Sequence, residues 1–174
     1  DFGNREPFLA DNSNVPLLRN ANRSFTAKLD KNISVRGRVP LNCNEAGQAA
    51  LDVGGAILPG VRMVGVENIH FNIHVKSAAR YQMWLINVDG FFSDHLVITA
   101  THASGYTNTD GLHIGGKCSN INVCRLEVYG CEDDALAIVA DDSHHGGDYT
   151  AEMVSGSIAN VTVGSLHTDH GSWQ

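Results

Sequence analysis

Residues 120–126, Asn-Ile-Asn-Val-Cys-Arg-Leu, contain the pattern on which the prediction of the fold rests. A turn residue is followed by an apolar–polar–apolar triplet and, three residues after the triplet, by another apolar residue. This order is typical of a short β-strand that leaves a turn. Similar units begin at Asn68, Gly90 and Asn160, so the steps between units are 22, 30 and 40 residues. The unit therefore repeats along the chain with insertions of growing length.

A base period of about 22 residues predicts a β-solenoid, because each turn of chain then buries its apolar residues only against its neighbours. The insertions would lie at residues 101–109 and 141–157 and form loops on the binding side. A sandwich or a barrel would need regular hairpin turns, and Asp-Gly pairs occur only at residues 89–90 and 110–111. We therefore predict an all-β solenoid.

The solenoid would be a single domain over residues 1–174, with entry coils at about 1–60 and regular coils at about 61–174. The sequence begins at Asp1 without a Met and stops directly after a polar cluster. We therefore expect a fragment of a longer protein whose C-terminal coils are missing.

Composition limits the function classes. The hydrophobic fraction is 43% and the formal net charge is −7, with no basic run. Nucleic acid is not an expected partner, because binding it requires Lys and Arg to neutralise phosphates. No apolar stretch reaches the roughly 20 residues of a membrane-spanning helix, so no membrane span is expected.

The four cysteines do not have the spacing of a metal site. Cys118, Cys124 and Cys131 lie in or next to strand-like runs, so we expect them to be small buried apolar residues. The segment that includes His144 and His145 among several aspartates offers ligand types for a divalent cation. A solvated loop explains these residues more simply, and neither a metal site nor a cofactor is predicted.

Three polar clusters in the C-terminal part of the chain suggest chemistry. They are residues 108–111 (Asn-Thr-Asp-Gly), 130–134 (Gly-Cys-Glu-Asp-Asp) and 169–171 (Asp-His-Gly), each beside a strand-like run. Asp and Asn at such places commonly cap backbone groups or form turns. Stacked parallel strands lie about 4.8 Å apart, however, so Asp110, Asp133 or Asp134, and His170 could also meet on one surface. Clustered carboxylates and a histidine favour acid–base catalysis.

These clusters resemble glycoside hydrolase family 28, the polygalacturonases and their relatives, including proteins of phage tails. Residues 108–110 match the family's Asn-Thr-Asp, Asp133-Asp134 match its Gly-Asp-Asp stretch, and His170-Gly171 match the end of its Gly-His-Gly. Glu132 and Asp169 stand where the family usually has Gly. The family's Arg-x-Lys motif would lie beyond Gln174.

The resemblance implies a right-handed, single-stranded parallel β-helix that hydrolyses a polysaccharide with inversion, and polymers that contain uronic acid are among the candidate substrates. It implies that Asp133 is the general acid and that Asp110 and Asp134 hold the water, as hydrolysis with two carboxylate roles requires. His170 would tune the acid or hold the sugar. Asn108 would orient Asp110 or a sugar hydroxyl. Apart from the resemblance, the charges of Arg80 and Lys117 would suit contacts with an acidic sugar, although surface charge explains these two residues more simply.

By the same resemblance the protein would be secreted or extracellular, or would lie on a virion surface, where a homotrimer would be expected of a spike. Two other functions stay open. One is a non-catalytic glycan-binding or structural β-helix, such as an adhesin or tail-spike segment. The other is a polysaccharide lyase or epimerase, which would need a cation or an Arg to neutralise a uronate carboxylate.

Overall fold

The computed structural model describes residues 17–37, 39–43, 59–101, 109–141 and 155–169. Within these ranges the protein is all-β and contains no helix. In chain order the strands are β1 (Leu18–Arg19), β2 (Asp30–Arg36), β3 (Leu41–Asn42), β4 (Val61–Asn72), β5 (His74–Lys76), β6 (Met83–Ser93), β7 (Leu96–Thr99), β8 (Leu112–Ile114), β9 (Ser119–Tyr129), β10 (Leu136–Ile138) and β11 (Ala159–Thr168).

The strands form one curled sheet in which every pairing between named strands is parallel. The long strands bend, so that different parts of one strand pair with different neighbours. The first part of β4 pairs with β1, for example, and its second part pairs with β2. Three stacks result. The first contains β1, the starts of β4 and β6, β8 and β10; the second contains β2, the later parts of β4 and β6 and the starts of β9 and β11; the third contains β3, β5, β7 and the ends of β9 and β11.

The register confirms the repeat read from the sequence. Ile69 pairs with Phe91, Phe91 with Ile121, and Ile121 with Val161, which reproduces steps of 22, 30 and 40 residues. The side chains of Ile69, Phe91 and Ile121 lie in the main hydrophobic core. The two predicted insertions, at 101–109 and 141–157, lie largely outside the described residues.

The turn residue that opens each repeat has a left-handed backbone. Asn32, Asn68, Asn120 and Asn160 have φ angles of 57°, 60°, 57° and 55°, and Gly90 has a φ of 82° at the equivalent place. Asparagine and glycine adopt this conformation at lower cost than other residues. Neighbouring amides also bond along the stack, since Asn68 Nδ2 donates to Asn32 Oδ1 at 3.3 Å and Asn160 Nδ2 to Asn120 Oδ1 at 3.0 Å. The turn residue in each sequence unit therefore marks a position where the backbone bends.

The prediction that Cys118, Cys124 and Cys131 are buried is confirmed for two of these three residues. Cys118 and Cys131 are buried, but Cys124 is exposed because strand β9 alternates between faces and Cys124 lies on the outer one. All four cysteines are free thiols. In the part of the chain that the structure describes, no helix is long and apolar enough to cross a bilayer.

One predicted result concerns acid. Hydrogen bonds from the side chains of Asn120 and Ser119, both 2.8 Å long, hold the pKa of Asp89 below its usual value. A carboxyl with a lowered folded-state pKa stabilises the fold fully above its unfolded pKa, about 3.9 for Asp, and this stability is lost as the pH falls through the folded pKa. Urea unfolding should therefore show a free energy of unfolding that decreases from pH 5 towards pH 2.

The variants Asp89→Asn and Ser119→Ala isolate this contribution. Asp89→Asn removes the titrating group and Ser119→Ala removes one donor to it. Both should flatten the decrease in the free energy of unfolding between pH 5 and pH 2 relative to the wild type. An equally steep decrease in all three proteins would contradict the assignment to Asp89.

Candidate functional site

Backbone pairing brings the first two polar clusters together. The Gln82 amide donates to the Asp110 carbonyl at 2.8 Å, and the Gly111 amide donates to the Asp134 carbonyl at 2.8 Å. The segment around Asp110 is thus held between one turn of chain and the next. Gly111 permits this approach, because a Cβ there would lie 2.5 Å from the Ala135 carbonyl oxygen. The glycine of the Asn-Thr-Asp-Gly cluster therefore has a steric reason to be glycine.

The carboxylates of Asp110, Asp133 and Asp134 converge. Each provides an oxygen atom, and these three atoms lie within 4.8 Å of one another. Asp110 is buried, with 3% of its surface exposed, whereas Asp133 and Asp134 are exposed. We call these three residues the acidic cluster. The predicted meeting of the carboxylates on successive turns of chain is confirmed for these three residues.

The turn that carries Asp133 and Asp134 is held by the turn that carries Asp110. The Glu132 amide donates to the Thr109 hydroxyl oxygen at 2.8 Å, and the Asp134 amide lies 3.4 Å from Asp110 Oδ1. Thr109 is buried, so its hydroxyl belongs to the scaffold of the cluster. Asp133 and Asp134 are exposed, so a substrate can approach the cluster from their side.

Asp169, the residue of the third polar cluster that the structure describes, lies next to the second cluster. Asp169 follows strand β11, and its Oδ1 accepts a hydrogen bond of 2.8 Å from the Gly130 amide. The neighbouring residue Cys131 is buried. This burial, and to a smaller extent the charges of Asp110 and Asp169, raise the pKa of the Cys131 thiol to about 12. This thiol is protonated at neutral pH and is not a nucleophile.

Two predicted site residues, His170 and Asn108, lie outside the described residues. Two others are placed. The backbone of Arg80 lies near the acidic cluster in space. Its carbonyl accepts a hydrogen bond of 3.2 Å from Gln82 Nε2, and the backbone amide of Gln82 donates to the Asp110 carbonyl. Lys117 lies beyond the opposite end of β8, and its Nζ donates to the Phe25 carbonyl at 3.2 Å. The structure therefore does not bring the Lys117 ammonium to the cluster.

His113 is a residue of this site that the sequence did not single out. Its Nδ1 lies 2.5 Å from Asp110 Oδ2, and both side chains are buried. The imidazole stacks on the ring of Tyr81, with centroids 4.2 Å apart and planes at 16°. A usable signal was present: in Leu112-His113-Ile114 the alternation of a strand places both aliphatic side chains on one face and the histidine on the other.

The acidic cluster could also hold a hard divalent cation, since carboxylate oxygens are the ligands that Ca²⁺ prefers. Exposed acidic groups commonly cluster without an ion. The second group of cation ligand types noted in the sequence, around His144 and His145, lies outside the described residues.

No protein-family model matches this chain, and neither a curated protein nor a solved structure does. The similarity to glycoside hydrolase family 28 therefore rests on the residues of the polar clusters themselves. The class that the structure itself defines is an all-β protein with a curled parallel sheet and an acidic cluster at the start of strand β8.

Proposed function

We propose that the protein is a polysaccharide-degrading glycoside hydrolase similar to the polygalacturonases, built as a right-handed, single-stranded parallel β-helix. The observation that carries the proposal is the convergence of Asp110, Asp133 and Asp134 within 4.8 Å. Two of these residues come from one turn of chain and the third from the preceding turn. The β-helix is supported by the parallel stacks and by the repeat register. We place the protein outside the cell or on a virion surface, where glycans are the accessible polymers.

The three carboxylates divide the work that glycosidic hydrolysis requires. Asp133 is exposed and protonates the leaving oxygen of the sugar. Asp110 and Asp134 hold one water and accept its proton as it attacks the anomeric carbon. The buried position of Asp110 fixes its orientation, because the surrounding backbone and side chains leave it few alternatives. Asp134, which is exposed, binds the same water from the solvent side.

The spacing of the cluster bears on stereochemistry. Inverting enzymes usually separate their two carboxyl groups by about 6.5–9.5 Å, and retaining enzymes by about 5–5.5 Å. The nearest oxygens of this cluster lie within 4.8 Å. Inversion therefore requires that the water sit beside the pair Asp110 and Asp134 and not between the acid and a distant base. Proton NMR of the first product reads the anomer, and a retained anomer would make one of these two residues a nucleophile.

Elimination by a lyase is the second catalytic option, and it requires more than the three carboxylates. A lyase must also neutralise the uronate carboxylate with a cation or a basic side chain; the ammonium of Lys117 is bonded to the Phe25 carbonyl, so Arg80 or a bound cation would have to do this. Hydrolysis needs only the carboxylates that converge. A lyase would reveal itself by an unsaturated product that absorbs in the near ultraviolet.

Reducing-sugar release from a panel of neutral and uronic-acid polysaccharides tests the proposal. Asp133→Asn should lower the rate on the responsive polymer by about 10²–10⁴-fold, because proton donation contributes a factor of that size. Asp94→Asn is the matched control, since Asp94 is an exposed carboxylate paired with Asn72 and His70 on a different stack of strands. It should leave the rate within about twofold.

The other outcomes are also informative. Release that persists in Asp133→Asn would place the acid elsewhere. Retained binding to a glycan with no release from any polymer would establish a non-catalytic glycan-binding module instead.

A further inference from the structure

A buried histidine supports the one buried member of the acidic cluster. Asp110 has two carboxylate oxygens, and Oδ2 lies 2.5 Å from His113 Nδ1, within hydrogen-bonding distance. Oδ1 lies 3.4 Å from the Asp134 amide, a weaker contact. His113 therefore makes the shorter of these two contacts to the carboxylate. The pair is i, i+3 along the chain, with His113 in β8 and Asp110 just before this strand.

The imidazole is fixed on its other sides by aromatic packing. Tyr81 stacks on its face at a centroid distance of 4.2 Å, and Trp84 meets it edge to face at 6.0 Å. Tyr81 and Trp84 also contact each other edge to face at 5.5 Å. His113 is 1% exposed, Tyr81 1% and Trp84 0%. Because three buried rings hold one another, the imidazole cannot rotate away from Asp110 without disturbing the core.

From this geometry we infer that His113 is a positioning residue for the proposed hydrolysis: its Nδ1–H orients the Asp110 carboxylate towards the water. The inference rests on the proposed function. An ionised carboxylate only accepts hydrogen bonds, so the contact requires the proton to be on the histidine nitrogen. With Oδ2 engaged in this way, Oδ1 is the oxygen left to face the water, and the carboxylate cannot swing between orientations. Side chains that orient the ligands of a metal in this way typically contribute 10–100-fold to affinity or activity, and we expect an effect of that size here.

Two amide substitutions test which ring nitrogen of His113 is required for activity. In His113→Asn the side-chain NH₂ falls near the position of Nδ1, whereas in His113→Gln it falls near the position of Nε2. The Asn variant should keep kcat within about tenfold of the wild type. The Gln variant and His113→Phe should lower kcat by about 10–100-fold with KM within about twofold, since the substrate is not contacted. His70→Asn, on another stack of strands, is the control and should behave as wild type.

A spectroscopic readout accompanies the kinetics. ¹⁵N-labelled histidine should show a proton bonded to Nδ1 of His113 at low field in the wild type, and this signal should vanish in Asp110→Ala. Thermal melting of every variant separates lost positioning from lost folding. Equal activity of the Asn and Gln variants, or a proton found only on Nε2, would overturn the role of His113 while leaving the hydrolase in place. A wild-type protein that releases no sugar would overturn the proposed function, and the positioning role with it.

Discussion

Asp110→Asn is expected to lower kcat/KM for polysaccharide hydrolysis by at least about 10³-fold, one of the two largest effects anticipated for this chain. The substitution keeps the size of the side chain but removes its ability to take a proton from water. It also replaces one acceptor oxygen by an NH₂ group, which would face either the Nδ1–H of His113 or the Asp134 amide, both of them donors. Base function and orientation are therefore lost together.

Glu132→Gln is the matched control, because Glu132 is an acid of the same turn as Asp133 and Asp134 but is not part of the acidic cluster. It should change kcat/KM by less than about threefold. Initial rates should be measured on the polymer that responds in the panel, together with thermal melting. A folded Asp110→Asn protein that keeps a tenth of wild-type activity would show that Asp110 is structural and that the water is held elsewhere.

The bends and the register of this fold could be predicted from the sequence because they have local causes. An asparagine or glycine at the start of each unit marks a left-handed backbone, and a triplet of alternating polarity marks the strand that follows. The meeting of Asp110 with Asp133 and Asp134 follows from the same register, since β8 and β10 pair residue by residue. Because the same local pattern recurs in each turn of chain, it predicts which residues of neighbouring turns lie side by side, here Asp110 with Asp133 and Asp134.

Side-chain partners across the fold could not be predicted in this way. Lys117 bonds to Phe25, which lies in a segment with no repeat, so no periodicity could have linked the two. The pairing of His113 with Asp110 depends on the rings of Tyr81 and Trp84, which an earlier turn of the chain packs against the imidazole. These choices are made by packing between distant segments, which a single sequence does not express as a pattern.

Gly65→Ala is the second large effect, and it is expected to destabilise the fold by about 2–5 kcal/mol. Gly65 has a φ of 67°, a left-handed backbone that costs an alanine about 1–2 kcal/mol. A Cβ at this position would also lie 2.2 Å from the Ser24 carbonyl oxygen and 2.6 Å from that of Ala27. Overpacking of this kind adds about 1–3 kcal/mol.

The obstructing carbonyls cannot simply move aside. Asn87 Nδ2 donates to the Ser24 carbonyl at 3.0 Å and to the Ala27 carbonyl at 3.1 Å, and the Leu29 amide donates to the Gly65 carbonyl at 3.1 Å. Withdrawing the segment would break these bonds and would pull Phe25 off the small core cluster that contains Trp84. Relief of the clash therefore costs contacts elsewhere.

Gly37→Ala provides the comparison that makes the Gly65→Ala result specific. A Cβ at Gly37 would have no heavy atom within 4 Å, so the only expected change is a small gain from the less flexible unfolded chain, below about 1 kcal/mol. Urea unfolding of both variants at pH 7 measures the difference. If Gly65→Ala unfolded at the same urea concentration as Gly37→Ala, segment 24–29 would have to be free to leave the sheet. The bonds from Asn87 would then contribute nothing to holding it, and the curled sheet would be stable without the segment that lies across its bend.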